Sequence, residues 1–165
     1  MVWLGKYFIL TSEDAKWATE RLRELYDQAL AKKELIHFEK YDLKFDYALV
    51  DLKQFPKEEI GVNPILKWIR NYGCAFGIGR KSEKHPSLIF VCRDYVPSKF
   101  WDILAVHEYG DIIHYELETR KKRHEKSIKL EFDIAKKEGL FDEYLEWIKE
   151  KMPWRMGEIT EVGII

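Results

Sequence analysis

The sequence predicts an α+β fold, with an N-terminal helix and a small, mostly antiparallel sheet followed by a C-terminal group of three helices. Three observations predict it. Up to Cys92 the chain offers one long helical run and several short apolar or alternating stretches set apart by glycine, proline and polar turns. From Pro97 onward the apolar spacing becomes helical. With 165 residues, 46% of them hydrophobic and 15% aromatic, the chain can bury one core, so residues 1–165 read as a single domain.

The elements follow in order. Residues 2–10 are apolar and give way at Thr11, Ser12, Glu13 and Asp14 to a helical run reaching about Leu35. Thr11 or Ser12 caps it, with acids in the first turn. Ala15, Ala18, Leu22, Leu25, Tyr26 and Leu30 recur along it at helical spacing. Residues 37–43 and 45–52 are patterned as two strands of a hairpin. Pro56 opens a loop, and Pro64 starts a short helix through Ile65, Leu66, Trp68 and Ile69. Residues 72–79 form another strand, whose glycines mark bends or a close neighbour. A polar turn at 80–86 leads to a short apolar strand at 87–92 that pairs with it, giving four or five strands in all. Pro97 and Ser98 mark the start of a helix running to about Thr119. Two further helical stretches, 123–137 and 140–151, are separated by Gly139; Pro153 ends the second, and residues 159–165 are patterned as an extra strand.

Charge and composition narrow the partners. The 28 basic and 29 acidic residues leave a formal net charge of -1, which makes no bulk electrostatic case for nucleic acid. Asn63, Asn71, Gln28 and Gln54 are the only amides among many Lys and Glu, the balance expected of a hyperthermophile's protein. Cys74 and Cys92 have no metal-type spacing, residues 1–165 show no long apolar run, and no secretory leader is expected. The expectation is a cytoplasmic protein with no membrane partner, in which a Cys74–Cys92 disulfide stays open. Trp154 and the tail Val162, Gly163, Ile164, Ile165 mark a candidate homodimer seam. The basic run from Arg120 to Lys126 reads as a solvated connection, and Gly73, Gly77 and Gly79 as strand geometry.

The helix that starts near Ser98 carries the chemistry. His107, Asp111, His114 and Glu118 stand at i, i+4, i+7 and i+11, which places them within roughly 60° of arc. Phe100, Ile103, Leu104, Val106, Ile112, Ile113 and Leu117 surround that stripe, leaving only Asp102, Tyr109 and Glu116 as a face suited to water. Burying ionisable groups costs free energy unless they are paired, hydrogen-bonded or bound to a metal.

The run His107, Glu108, Tyr109, Gly110, Asp111 resembles the His-Glu-x-x-His signature of zincin-type metallopeptidases, within about thirty residues from the strand at 87 through the helix. The resemblance implies a zincin-like fold and a divalent transition metal, zinc first, with iron or manganese also suited to nitrogen and oxygen ligands. His107 matches the first ligand, and Glu108 matches the catalytic base that activates a metal-bound water. Asp111 stands where the family has its second histidine, and a carboxylate one turn on still reaches a metal through oxygen. In gluzincin-like arrangements a glutamate from the next helix completes the site, which picks out Glu131, with His124 on the same face as the alternative. His114 is about 10 Å along the axis from His107, too far to share one ion, so it is assigned with Glu118 to a supporting hydrogen bond or an alternative ligand. The activity implied is hydrolysis of a peptide or protein substrate, aligned by edge pairing to the strand at 88–92. The alternative is a non-catalytic cytoplasmic interaction protein, or a degenerate zincin, whose stripe is a structural ion-pair ladder.

Overall fold

Alternation along the strands sorts the sheet's apolar side chains into two cores, and that division sets where every helix packs. The computed structural model describes residues 2–4, 7–9, 12–71, 75–78, 88–114 and 119–165. Strands β1 (Val2–Leu4) and β2 (Tyr7–Ile9) pair antiparallel as a two-stranded ribbon, separate from the main sheet among the described residues. Helix α1 (Ser12–Ala31) leads to the hairpin β3 (Ile36–Lys40) and β4 (Leu43–Val50). Helices α2 (Lys57–Val62) and α3 (Pro64–Asn71) follow, then β5 (Ala75–Ile78) and β6 (Leu88–Cys92). The chain closes with α4 (Trp101–Ile113), α5 (Arg120–Lys137), α6 (Phe141–Lys151), a 3-10 turn at Pro153–Arg155 and α7 (Met156–Glu161).

The four-stranded sheet has the order β3-β4-β6-β5. β3 and β4 are antiparallel, with Tyr41 and Asp42 at φ 55 and 63 in the turn, the left-handed pair that a two-residue hairpin needs. β6 is antiparallel to β5 but parallel to β4, so the sheet is mixed. Leu88, Phe90 and Cys92 face a core built with α1, α2 and α3. Ile89 and Val91 point the other way, into the core of α4, α5 and α6. All five residues of β6 are buried, as a strand covered on both faces requires.

The α+β class matches expectation, while four C-terminal α-helices stand where three were expected and several boundaries move for local reasons. α1 stops short of Leu35 because Lys33 turns left-handed at φ 57 and Glu34 N–H closes onto the Ala29 carbonyl at 2.8 Å. The loop expected after Pro56 contains α2, with Glu58 and Glu59 in its first turn, an N-terminal signal of acids beside a proline. α4 ends at Ile113 rather than near Thr119. His114 leaves helical geometry, with its N–H on the Gly110 carbonyl, and Gly110 with Ile112 and Ile113 makes the last turn of α4 poor in helix formers. α5 begins inside the basic run, where Thr119 Oγ1 accepts from Lys122 N–H at 3.1 Å, so those residues are helix and not a connection. In the tail expected as a strand, residues 159–161 are the end of α7, with Ile159 fully buried, and 162–165 are turn and coil.

The face of α4 expected to meet water is instead covered by the hairpin. Tyr47 Oη donates to Asp102 at 2.6 Å, and Tyr109 stacks on Phe45 with ring centroids 4.5 Å apart. Cys92 is buried and its thiol donates to Asp94 at 3.3 Å, while Cys74, Gly73, Gly79, Glu116, Leu117 and Glu118 lie outside the described residues. No described helix is long and apolar enough to cross a membrane. In the expected dimer seam, Trp154 is exposed, whereas Val162 and Ile164 pack on the protein's own core.

Candidate metal centre

The site forms where α4 and α5 run against each other, and one missing side chain lets them come that close. A Cβ on Gly110 would sit 3.0 Å from Ser127 Oγ and 3.2 Å from Ser127 Cα, the second being backbone that cannot rotate away. Ser127 is fully buried there and donates to Asp111 Oδ1 at 2.6 Å. Gly110→Ala is therefore expected to destabilise the fold by about 1–3 kcal/mol through overpacking, despite the roughly 1 kcal/mol of helix propensity that alanine brings. Urea unfolding measures it, and a midpoint raised by alanine would show that the two helices do not need this approach.

Within that seam α4 presents His107 and Asp111 one turn apart, and α5 presents His124 beside them. His107 is 7% exposed; its Nε2 lies 3.6 Å from Asp111 Oδ2, and its ring meets that of His124 edge-on at 5.1 Å between centroids. One donor atom from each of His107, Asp111 and His124 falls within 4.8 Å of the others. Two donors bound tetrahedrally to one zinc at ordinary bond lengths stand about 3.3 Å apart. The observed 3.6 Å between His107 and Asp111 is close to that spacing. Both imidazoles are held from behind by carboxylates. Glu131 Oε2 is 2.7 Å from His107 Nδ1, and Glu158 Oε2 is 3.1 Å from His124 Nε2. A carboxylate on the far ring nitrogen is the usual support of a metal-binding histidine, fixing its tautomer and ring orientation.

Glu131 thus joins the site in a different place from the one expected. It is fully buried, and both of its oxygens are engaged: Arg155 binds them as a fork at 2.8 and 2.7 Å, Tyr144 Oη donates to Oε1, and His107 takes Oε2. Burial alone would raise its pKa, but the charges of Arg155 and His107 hold it far below the usual carboxylate range. His124, the alternative on the same helix face, is the residue that meets Asp111. His114 caps the end of α4 outside the cluster, its Nδ1 buried without a hydrogen-bond partner among the described residues. Glu118 lies outside the described residues. Sequence reasoning missed Ser127, Tyr144, Arg155 and Glu158. Ser127 alone had a local signal, since it shares the face of His124 and Glu131.

Glu108, the residue after His107 on α4, faces the sheet. It lies against β5, where a Cβ on Gly77 would come within 3.1 Å of both its Cβ and its Oε2, so glycine makes room for this carboxylate. The group is half-buried, and its desolvation, opposed by the charge of His107 and reinforced by Asp111 and Glu131, pushes its pKa up to about 7. β5 is an edge of the sheet. β6, the strand expected to align a substrate, is hydrogen-bonded on both sides by β4 and β5 and has no edge to offer.

These charges set a pH dependence. Burial pulls the His107 pKa down, but Glu131 and Asp111 together outweigh it and push it up to about 9. A group raised on folding stabilises fully below its unfolded pKa and loses that contribution as pH rises through the folded one. In the presence of a chelator, stability is expected to fall by roughly 3 kcal/mol as pH rises from about 6.5 to 9, at 1.36 kcal/mol per unit. Glu108, also raised, steepens the decline on its acid side. Glu131, lowered, keeps its contribution above the ordinary carboxylate pKa and loses it only in strong acid. Urea midpoints in EDTA across this range test the sign; a flat curve between neutrality and pH 9 would mean that His107 carries no proton in the pair.

No protein-family model matches the chain, and no curated protein or solved structure matches it.

Proposed function

We propose that the protein is a metal-dependent hydrolase, peptidase-like in its chemistry, with His107, Asp111 and His124 as ligands and Glu108 as general base. One observation carries the reading: two imidazoles, each hydrogen-bonded to a carboxylate, of which Glu131 is fully buried, come together with Asp111 in the α4–α5 seam. Two nitrogens and one oxygen suit zinc, iron or manganese, with zinc the first candidate. When bound, such an ion lowers the pKa of a coordinated water and polarises a carbonyl. This chain's own residues do the rest. Glu108, adjacent to His107 and with a pKa near 7, is matched to taking a proton at neutral pH and returning it to a leaving amine. Glu131 and Glu158 hold the rings, and Ser127 holds Asp111 so that Oδ2 turns toward His107. The outer edge of β5, beside Glu108 and unpaired among the described residues, is the place where an extended peptide would add as a strand.

A second reading has its own observation. Arg155 already balances the charge of Glu131, so the network is also complete as an ion-pair ladder in a non-catalytic interaction protein. Elemental analysis of untagged protein separates the two. Near-unit zinc, iron or manganese per chain, lost in Asp111→Asn and His124→Ala, is the expected result. Absence of metal, with no thermal shift on adding zinc, iron or manganese, would overturn the hydrolase reading and leave the ladder.

A further inference from the structure

The two carboxylates that back the imidazoles come from different elements, and one side chain ties them together. Arg155 gives Nη1 and Nη2 to Glu131 at 2.8 and 2.7 Å, and Nε to Glu158 Oε1 at 3.3 Å. Glu131 then reaches His107 and Glu158 reaches His124, at 2.7 and 3.1 Å. A continuous chain results, running imidazole, carboxylate, guanidinium, carboxylate, imidazole. Arg155 belongs to the 3-10 turn that follows Pro153, and Glu158 to α7, so both arrive from the C-terminal segment. Undocking that segment would remove the second carboxylate outright and leave the first without its fork. The segment is held in part by Ile159, fully buried in the same core as α4 and α5.

We infer that the C-terminal turn and α7 act as a clasp for the metal centre, with Arg155 as a positioning residue that orients both imidazoles through Glu131 and Glu158. This rests on the metal reading above. It makes ion binding and docking of residues 153–161 one linked equilibrium, because each imidazole is aimed by a group that the segment supplies or holds. A planar fork is needed for it: guanidinium satisfies two carboxylates at fixed angles, whereas the ammonium of a lysine is a point charge on a flexible stem. Loss of such support behind a metal-binding histidine typically lowers affinity by about 10–100-fold.

The test uses the full chain and zinc itself. Zinc affinity is measured by competition with a chromophoric chelator, and hydrogen exchange of residues 153–161 is followed with and without zinc. The expected result is slower exchange in that segment when zinc is bound, and a zinc affinity about 10–100-fold weaker in Arg155→Lys that folds in EDTA. Glu158→Gln, which leaves the Arg155–Glu131 fork in place, gives the same test if Arg155→Lys does not fold. A folded variant that binds zinc as tightly as the wild type overturns the clasp and leaves the metal reading standing. Zinc bound with no change in exchange at 153–161 also overturns the clasp. A wild-type chain that binds no zinc overturns the clasp, and one that binds neither zinc, iron nor manganese overturns the metal reading as well.

Discussion

Glu131→Ala is expected to destabilise the protein by about 3–5 kcal/mol, the largest effect of any single substitution outside the apolar core. The reason is what it leaves behind. Arg155, His107 and Tyr144 all point at this one carboxylate from buried positions, and its removal leaves the guanidinium only its Nε contact to Glu158 and the imidazolium only Asp111. Arg155 stays protonated whatever the pH, since Glu131 and its hydrogen bonds hold its pKa well above the ordinary arginine value despite burial. Glu131→Gln keeps an acceptor and loses the charge, so it is expected to fall between alanine and wild type. Urea unfolding in EDTA reads the fold apart from any metal. A cost under about 1 kcal/mol for alanine would mean that water or another group already solvates Arg155.

Glu108→Gln is expected to lower hydrolysis by about 10²–10⁴-fold while metal content stays at the wild-type value. Glutamine fills the same space against Gly77 but cannot accept the proton. The same substitution should raise stability above pH 7, because it removes a carboxylate whose ionisation the folded protein opposes, its pKa standing near 7. Higher stability with lost turnover is the signature of a residue kept for chemistry. A peptide panel on the metal-loaded protein, with melting curves at pH 6 and 8, measures both. Turnover retained in Glu108→Gln would remove it as the base; unchanged melting at pH 8 would place its pKa in the ordinary range.

Much of the site was legible because its first half is local. His107 and Asp111 stand four apart on a helix, and helical geometry alone brings their side chains to one face. The surrounding apolar residues foretold that this face would be buried. The choice between His124 and Glu131 was not legible in the same way. They are seven apart on one face of α5, two turns and roughly 10 Å along the axis, and periodicity gives the face but not the axial register against α4. Packing sets where each stands: Gly110 admits Ser127, and at that register His107 lies between the two, with His124 toward Asp111 and Glu131 behind the ring.

By itself the sequence determined the α+β class, the helix that bears the site, the pair His107 and Asp111, and Glu108 beside them, since each follows from nearest-neighbour geometry or from alternation of apolar residues. Only the tertiary structure decided that helices cover both faces of a mixed sheet, that β5 and not β6 is an edge, and that α4 stops at Ile113. It alone brought Tyr144, Arg155 and Glu158 to the imidazoles, from 13 to 34 residues along the chain from their partners. The physical reason is range. A turn of helix or a pleat of strand is set by neighbouring residues, whereas a buried charge finds its partner only when the whole core has closed around both.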